Sequence, residues 1–139
     1  MYKPSFRLKS FDSIPDGYKL GILEHLLEAL TMADVAYLLA HPHTPNLYDA
    51  GVRYQEEPDD RDEWQDIPDT LERRTGDCED LACWRVAELR VRFGEPKATR
   101  RITVDQLPNH RGQVVTTYHI SVQHEDGTVE DPSRRLGMP

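Results

Sequence analysis

The spacing of apolar residues changes character twice along the chain. From Tyr18 to about Ala40, Leu20, Leu23, Leu26, Leu27, Leu30, Val35, Leu38 and Leu39 recur close to every 3.6 residues, which predicts a long amphipathic helix stopped by "HPHTP". A second helical stretch is "GDCEDLACWRVAELRVRFG". Here Leu81, Ala82, Trp84, Val86, Ala87, Leu89, Val91 and Phe93 wrap most of the circumference, so the helix belongs inside the protein. Asp77 stands where its N-cap belongs, and Gly94 closes the far end. Beyond Gly94 the composition turns to strand. "RRITVDQL" and "QVVTTYHISVQH" flank the polar turn Pro108, Asn109, His110, Arg111 and Gly112, and "EDG" before "TVEDPS" marks a second hairpin. Helices first and an antiparallel sheet afterwards predict an α+β fold.

Between these elements the signals are weaker. Residues 1–17, punctuated by Pro4, Pro15 and Gly17, read as an N-terminal arm, and 18–139 as a single domain, because 139 residues suit one core. Residues 56–69, "EEPDDRDEWQDIPD", carry eight carboxylates and one arginine. That repulsion predicts a solvated acidic loop, pinned to the core by Trp64, Ile67 and Leu71. His41 and His43 have a metal-like H-x-H spacing without a third ligand nearby, which reads as a solvated helix end.

Charge narrows the function. The formal net charge is -8, from 25 acidic and 17 basic residues, and no basic stripe with interleaved aromatics is present to follow phosphates. Nucleic acid is not an expected partner. No apolar run approaches the roughly 20 residues of a membrane span, and "MYKPSFRLKSF" lacks a signal-peptide core, so no membrane partner and a cytoplasmic location are expected. Cys78 and Cys83 point about 140° apart on one helix, which argues against a disulfide between them. Cys83, between Ala82 and Trp84, reads as core.

Cys78 falls in the first turn, where unpaired N–H groups and the helix dipole favour a thiolate. Asp77, Glu79 and Asp80 oppose that effect, so the thiol needs a base beside it. His119 is the better candidate of the two histidines in the long strand, His124 being at its end. Asp131, just before Pro132, is placed to orient the imidazole, provided that register allows it. A three-residue "EDG" loop with Gly127 in the left-handed region sets His124 opposite Thr128 and Asp131 diagonally beside His119. A two-residue "DG" loop puts Asp131 on the other face. Both loops remain open at this stage.

"TGDCEDLA", "TYHISV" and "GTVEDPS" together resemble the Cys, His and Asp motifs of the transglutaminase-like superfamily, over roughly Asp49 to Leu136. The "GDCEDLA" block is similar in particular to bacterial transglutaminase-like cysteine proteinases. The resemblance implies a papain-like core in which Cys78 is the nucleophile, His119 the general base and acid, and Asp131 the group that fixes the tautomer. It further implies an oxyanion site made by the Cys78 backbone N–H and one upstream donor, for which Gln65 and Trp64 match first and Gln55 and Tyr54 second. The implied activity is cysteine-dependent hydrolysis of an amide in a protein or peptide substrate, as a protease, isopeptidase or deamidase. No cofactor is required, although related proteinases use calcium near this block, and Asp77, Glu79 or Asp80 could supply its oxygens. Asp80 reads otherwise as a helix-start group and Glu79 as solvent-facing. The alternatives are a non-catalytic binding or assembly module, virion-associated if phage-borne, an amine-accepting transglutaminase, and an acyltransferase of the arylamine type.

Overall fold

The computed structural model describes residues 3, 5, 7–57 and 63–139. Pro4 and the centre of the acidic segment lie outside the described residues. After a 3₁₀ turn, Phe11–Ser13, helix α1 runs Asp16–Ala40 and ends where "HPHTP" predicts. Its buried stripe is Leu23, Leu27, Thr31, Asp34 and Leu38, so two polar residues share the core face with three leucines. Each has a backbone partner: Thr31 Oγ1 donates to the Leu27 carbonyl (2.8 Å), and Asp34 Oδ1 accepts from the Ile67 N–H (2.9 Å), while Asp34 Oδ2 is buried without a partner among the described residues. Leu20 and Leu39, counted in the predicted apolar face, are exposed, because only one side of α1 is covered. His41 stacks on Tyr37 at the helix end.

The acidic segment leads into a helix that the charge pattern hides. Helix α2, Ile67–Arg73, is capped by Asp66, which accepts from the Asp69 N–H at 3.3 Å. Arg73 supplies the missing positive neighbour, lying 4.0, 3.6 and 3.3 Å from Glu57, Glu63 and Asp69. The predicted anchors hold: Ile67 is buried, and Trp64 and Leu71 are partly buried against the core. Strand β1, Arg53–Tyr54, pairs in parallel with β2, Thr75–Gly76, immediately before α3, Cys78–Arg92.

Helix α3 is the hub. It buries Leu81, Ala82, Cys83, Trp84, Val86, Ala87 and Leu89, and Gly94 follows its end at a φ of 69°. One side joins Leu27, Ile120 and Val122, and the other joins Leu38, Leu47, Val52 and Ile67. Fully burying a leucine or valine of this kind stabilises by about 1.5–3 kcal/mol. Both thiols are free, and Cys83 is core, as expected.

Strands β3, Thr99–Pro108, β4, Val114–Gln123, and β5, Val129–Glu130, form an antiparallel sheet in that order. Helix α4, Pro132–Arg135, follows, with Asp131 as N-cap. The architecture is mixed helix and sheet, with the long antiparallel hairpin after the helices, in keeping with α+β. Among the described residues, no helix is long and apolar enough to cross a membrane. In the C-terminal tail, Arg135 lies over the Tyr48 ring at 4.0 Å, and Arg134 pairs with Asp131 at 3.6 Å.

His124, without a role in the sequence reading, closes the last hairpin. Its Nδ1 meets Glu95 Oε2 and its Nε2 meets Glu130 Oε1, both at 2.9 Å. Burial opposes its charge, but the two carboxylates outweigh burial and hold its pKa above the ordinary value. Since the folded pKa is raised, this clasp is fully stabilising below about pH 6.5, the unfolded value, and is lost as pH rises through the folded one. Urea denaturation of wild type and His124→Gln should differ most at about pH 6 and converge above neutrality. A difference that grows with pH would contradict the assignment.

Candidate active site

Cys78 is the first residue of α3, and its position follows from the carboxylates around the helix start. Asp77 accepts the Cys78 N–H at 2.7 Å and the N–H of Asp80 in a capping box, while Asp80 Oδ2 accepts the Asp77 N–H at 3.0 Å. Asp80 is therefore a helix-start group, as read from sequence. Its other oxygen accepts the Gln65 N–H at 2.7 Å. That bond ties the segment before α2 to the start of α3.

Cys78 is only 8% exposed. Glu79 does not face solvent, contrary to expectation: it is buried, and the Cys78 thiol donates to its Oε2 at 3.4 Å. Burial, followed by the Glu79 charge, pushes the Cys78 thiol far above its ordinary range, and the nearby Ile120 backbone N–H pulls only partly against them. The dipole advantage predicted for a first-turn cysteine is thus overridden by desolvation and a neighbouring carboxylate.

The register question has a clear answer. His124 N–H bonds to the Thr128 carbonyl (2.9 Å), Gly127 N–H to the His124 carbonyl (3.0 Å), and Gly127 has a φ of 89°. "EDG" is the three-residue loop. With Val122 opposite Glu130, Asp131 follows at the level of Ser121, and its Oδ2 lies 2.7 Å from His119 Nε2. Asp131 also caps α4 through the Arg134 N–H at 3.4 Å. Pro132 at the first helical position makes that cap a local feature of "DPSR", legible from the sequence alone. In the neutral tautomer whose Nε2–H donates to Asp131, Nδ1 is the acceptor.

Cys78, His119 and Asp131 line one cleft of about 1160 Å³. Of the four oxyanion candidates, Tyr54 and Trp64 line it as well. Burial, then the charges of Asp77 and Glu56, push the Tyr54 phenol up to about 12, so it remains a hydrogen-bond donor. Gln65 is drawn away: it is buried, and its Nε2 donates to the Thr75 carbonyl at 2.9 Å. Gln55 is exposed on the strand edge, with its N–H on the Gly76 carbonyl. The Cys78 N–H, expected as an oxyanion donor, is turned to Asp77 instead, so the helix cap and the oxyanion site compete for one group.

The ligand atoms of Asp77, Cys78 and Glu79 lie within 4.8 Å of one another. Such a set mixes two hard oxygens with a soft sulfur, which suits calcium poorly at the third position. No protein-family model, no curated protein and no solved structure matches the chain.

Removing the Glu79 charge while keeping its shape should lower the Cys78 pKa. At a fixed pH near neutrality, Glu79→Gln is expected to raise the rate of iodoacetamide alkylation at Cys78, measured by peptide mapping. A slower rate would mean that Glu79 assists the thiol rather than suppressing it. In Asp80→Ala, loss of two buried backbone hydrogen bonds should cost about 1–3 kcal/mol in urea denaturation.

Proposed function

We propose that this protein is a cysteine-dependent amide hydrolase of the transglutaminase-like kind, with Cys78 as nucleophile, His119 as general base and acid, and Asp131 orienting the imidazole. The observation that carries the reading is the 2.7 Å contact between His119 Nε2 and Asp131 Oδ2 in the cleft that Cys78 also lines. The buried thiol rests protonated. As the sulfur attacks a carbonyl carbon, its proton passes to His119 Nδ1, an S–C bond forms, and the carbonyl electrons move onto oxygen, with the Tyr54 hydroxyl, which lines the cleft, as the assigned donor. The oxyanion then collapses, the C–N bond breaks, and the amine leaves with the proton from His119. Water, deprotonated by the same imidazole, attacks the thioester and regenerates the thiol.

A non-catalytic binding module is the second reading, and one observation favours it. A cysteine only 8% exposed, with a carboxylate beside its thiol, is poorly prepared for attack.

Alkylation separates the two. In the native protein at neutral pH, iodoacetamide should modify Cys78 and leave Cys83 untouched. In His119→Ala the Cys78 rate is expected to fall by about a hundredfold, the lower end of what a positioned base contributes. Equal rates in the two proteins, or a silent Cys78, would remove the support for catalysis.

A further inference from the structure

Strand β4 is paired along only one edge for most of its length. In an antiparallel ladder, alternate residues turn both backbone groups to the same side. His124 turns its N–H and carbonyl towards the β5 side, where they meet Thr128 and Gly127, and Val122 follows as the partner of Glu130. By the same alternation, Ile120, Tyr118, Thr116 and Val114 face that side too. Strand β5 ends at Glu130, and the residue that register would set opposite Ile120 is Pro132, which has no N–H and already belongs to α4. Cys78 packs with Ile120 in the core cluster at this level. Tyr118, Thr116 and Val114 continue beyond it with no strand alongside among the described residues.

This edge carries none of the usual guards. Natural edge strands are blunted by charge, proline or bulges. The outer strand β3 follows that rule, with Arg101, Asp105 and Pro108 along "TRRITVDQLP". The open stretch of β4 reads "VVTTY": five residues of high strand propensity, uncharged, in continuous register with β3, and with Val114 70% exposed. Val114, Thr116 and Tyr118 line the same cleft as the thiol, and so do Glu56, Glu57, Asp77 and Glu79.

We propose that the free edge of β4, from Val114 to Tyr118, is the substrate-docking strand: an extended polypeptide segment with a cationic side chain near the thiol adds to the sheet there. At about 3.4 Å per residue, Tyr118 is roughly 7 Å from Ile120, so a segment paired at Tyr118 and Thr116 reaches within two residues the level of Ile120, which shares the core cluster and the cleft with Cys78. Backbone pairing supplies the affinity, and the carboxylates beside the thiol select against acidic segments. The substrate class is therefore a disordered or unfolded stretch of chain, since a folded surface offers no unpaired strand to add. The link to bond cleavage rests on the reading of Cys78 as nucleophile, whereas the docking does not.

The test uses the wild-type protein and the blocked peptide acetyl-Val-Thr-Lys-Val-Thr-Val-amide at millimolar concentration. In the free protein, the amides of Val114, Thr116 and Tyr118 should exchange with solvent faster than those of Val115, Thr117 and His119, which face β3. With peptide at ten times its Kd, exchange at the first three should slow by about tenfold. An analogue N-methylated at alternate residues should fail to protect them. Thr116→Pro removes one outward N–H without touching the ladder to β3, and should weaken peptide binding about fivefold, the worth of one backbone hydrogen bond. Unchanged exchange on adding the peptide, or equal protection by the N-methylated analogue, would overturn the docking strand whatever Cys78 does. Protection at the edge together with a Cys78 that iodoacetamide does not modify would sustain the docking strand and overturn the hydrolase reading alone.

Discussion

The buried carboxylate of Asp80 is the constraint on which the site depends. One oxygen takes the N–H of Asp77 and the other the N–H of Gln65, so a single side chain fixes both the start of α3 and the segment that precedes α2. Burial pushes its pKa up to about 7, against the pull of those two N–H donors. Three other carboxylates do similar work nearby: Asp34 on Ile67, Asp66 on Asp69, and Asp77 on Cys78. Part of the acidity of this stretch therefore serves to satisfy backbone donors in the interior, where an unpaired N–H costs about 1–3 kcal/mol.

A second constraint comes from the other side of the cleft. The parity of the "EDG" loop decides which face of β5 carries Asp131, and with Gly127 in the left-handed region that residue arrives beside His119. Asp131 then has two roles, since the carboxylate that meets the imidazole also begins α4. Helix α4 in turn packs on α3, the helix that carries the thiol. The base and the nucleophile are thereby held by elements that brace one another.

The electrostatics of the cleft differ from those of an activated thiolate at a bare helix end. Glu79 is folded inward onto the sulfur, and the Cys78 N–H is engaged by Asp77, so both local features that favour a thiolate are offset. What remains is proton transfer to an oriented imidazole. The unpaired edge of β4, the protonated Tyr54 phenol and the carboxylates around the thiol all open on that same cleft.

By itself, the sequence determined the two long helices, the two hairpins and the residue types of the site. Apolar patterning is a local property, and it marks α1, α3 and strands β3 to β5 without reference to the rest of the chain. The N-cap at Asp77, the end at Gly94 and the core place of Cys83 follow from the same short-range rules. Tertiary structure decided everything that depends on what covers a residue. Thr31 and Asp34 are core because the Ile67 N–H and the packing of α3 meet that side of α1, and Leu39 is exposed because nothing does. Arg73 permits α2 within an acidic run by gathering charges from separate segments. Gln65 and Trp64 matched the upstream-donor pattern first and Gln55 and Tyr54 second, and only the fold turned Gln65 inward to the Thr75 carbonyl and left Trp64 and Tyr54 lining the cleft. The direction of the Cys78 pKa was also a tertiary matter. The helix dipole is legible in a sequence, but desolvation depends on the whole shell of atoms around the sulfur.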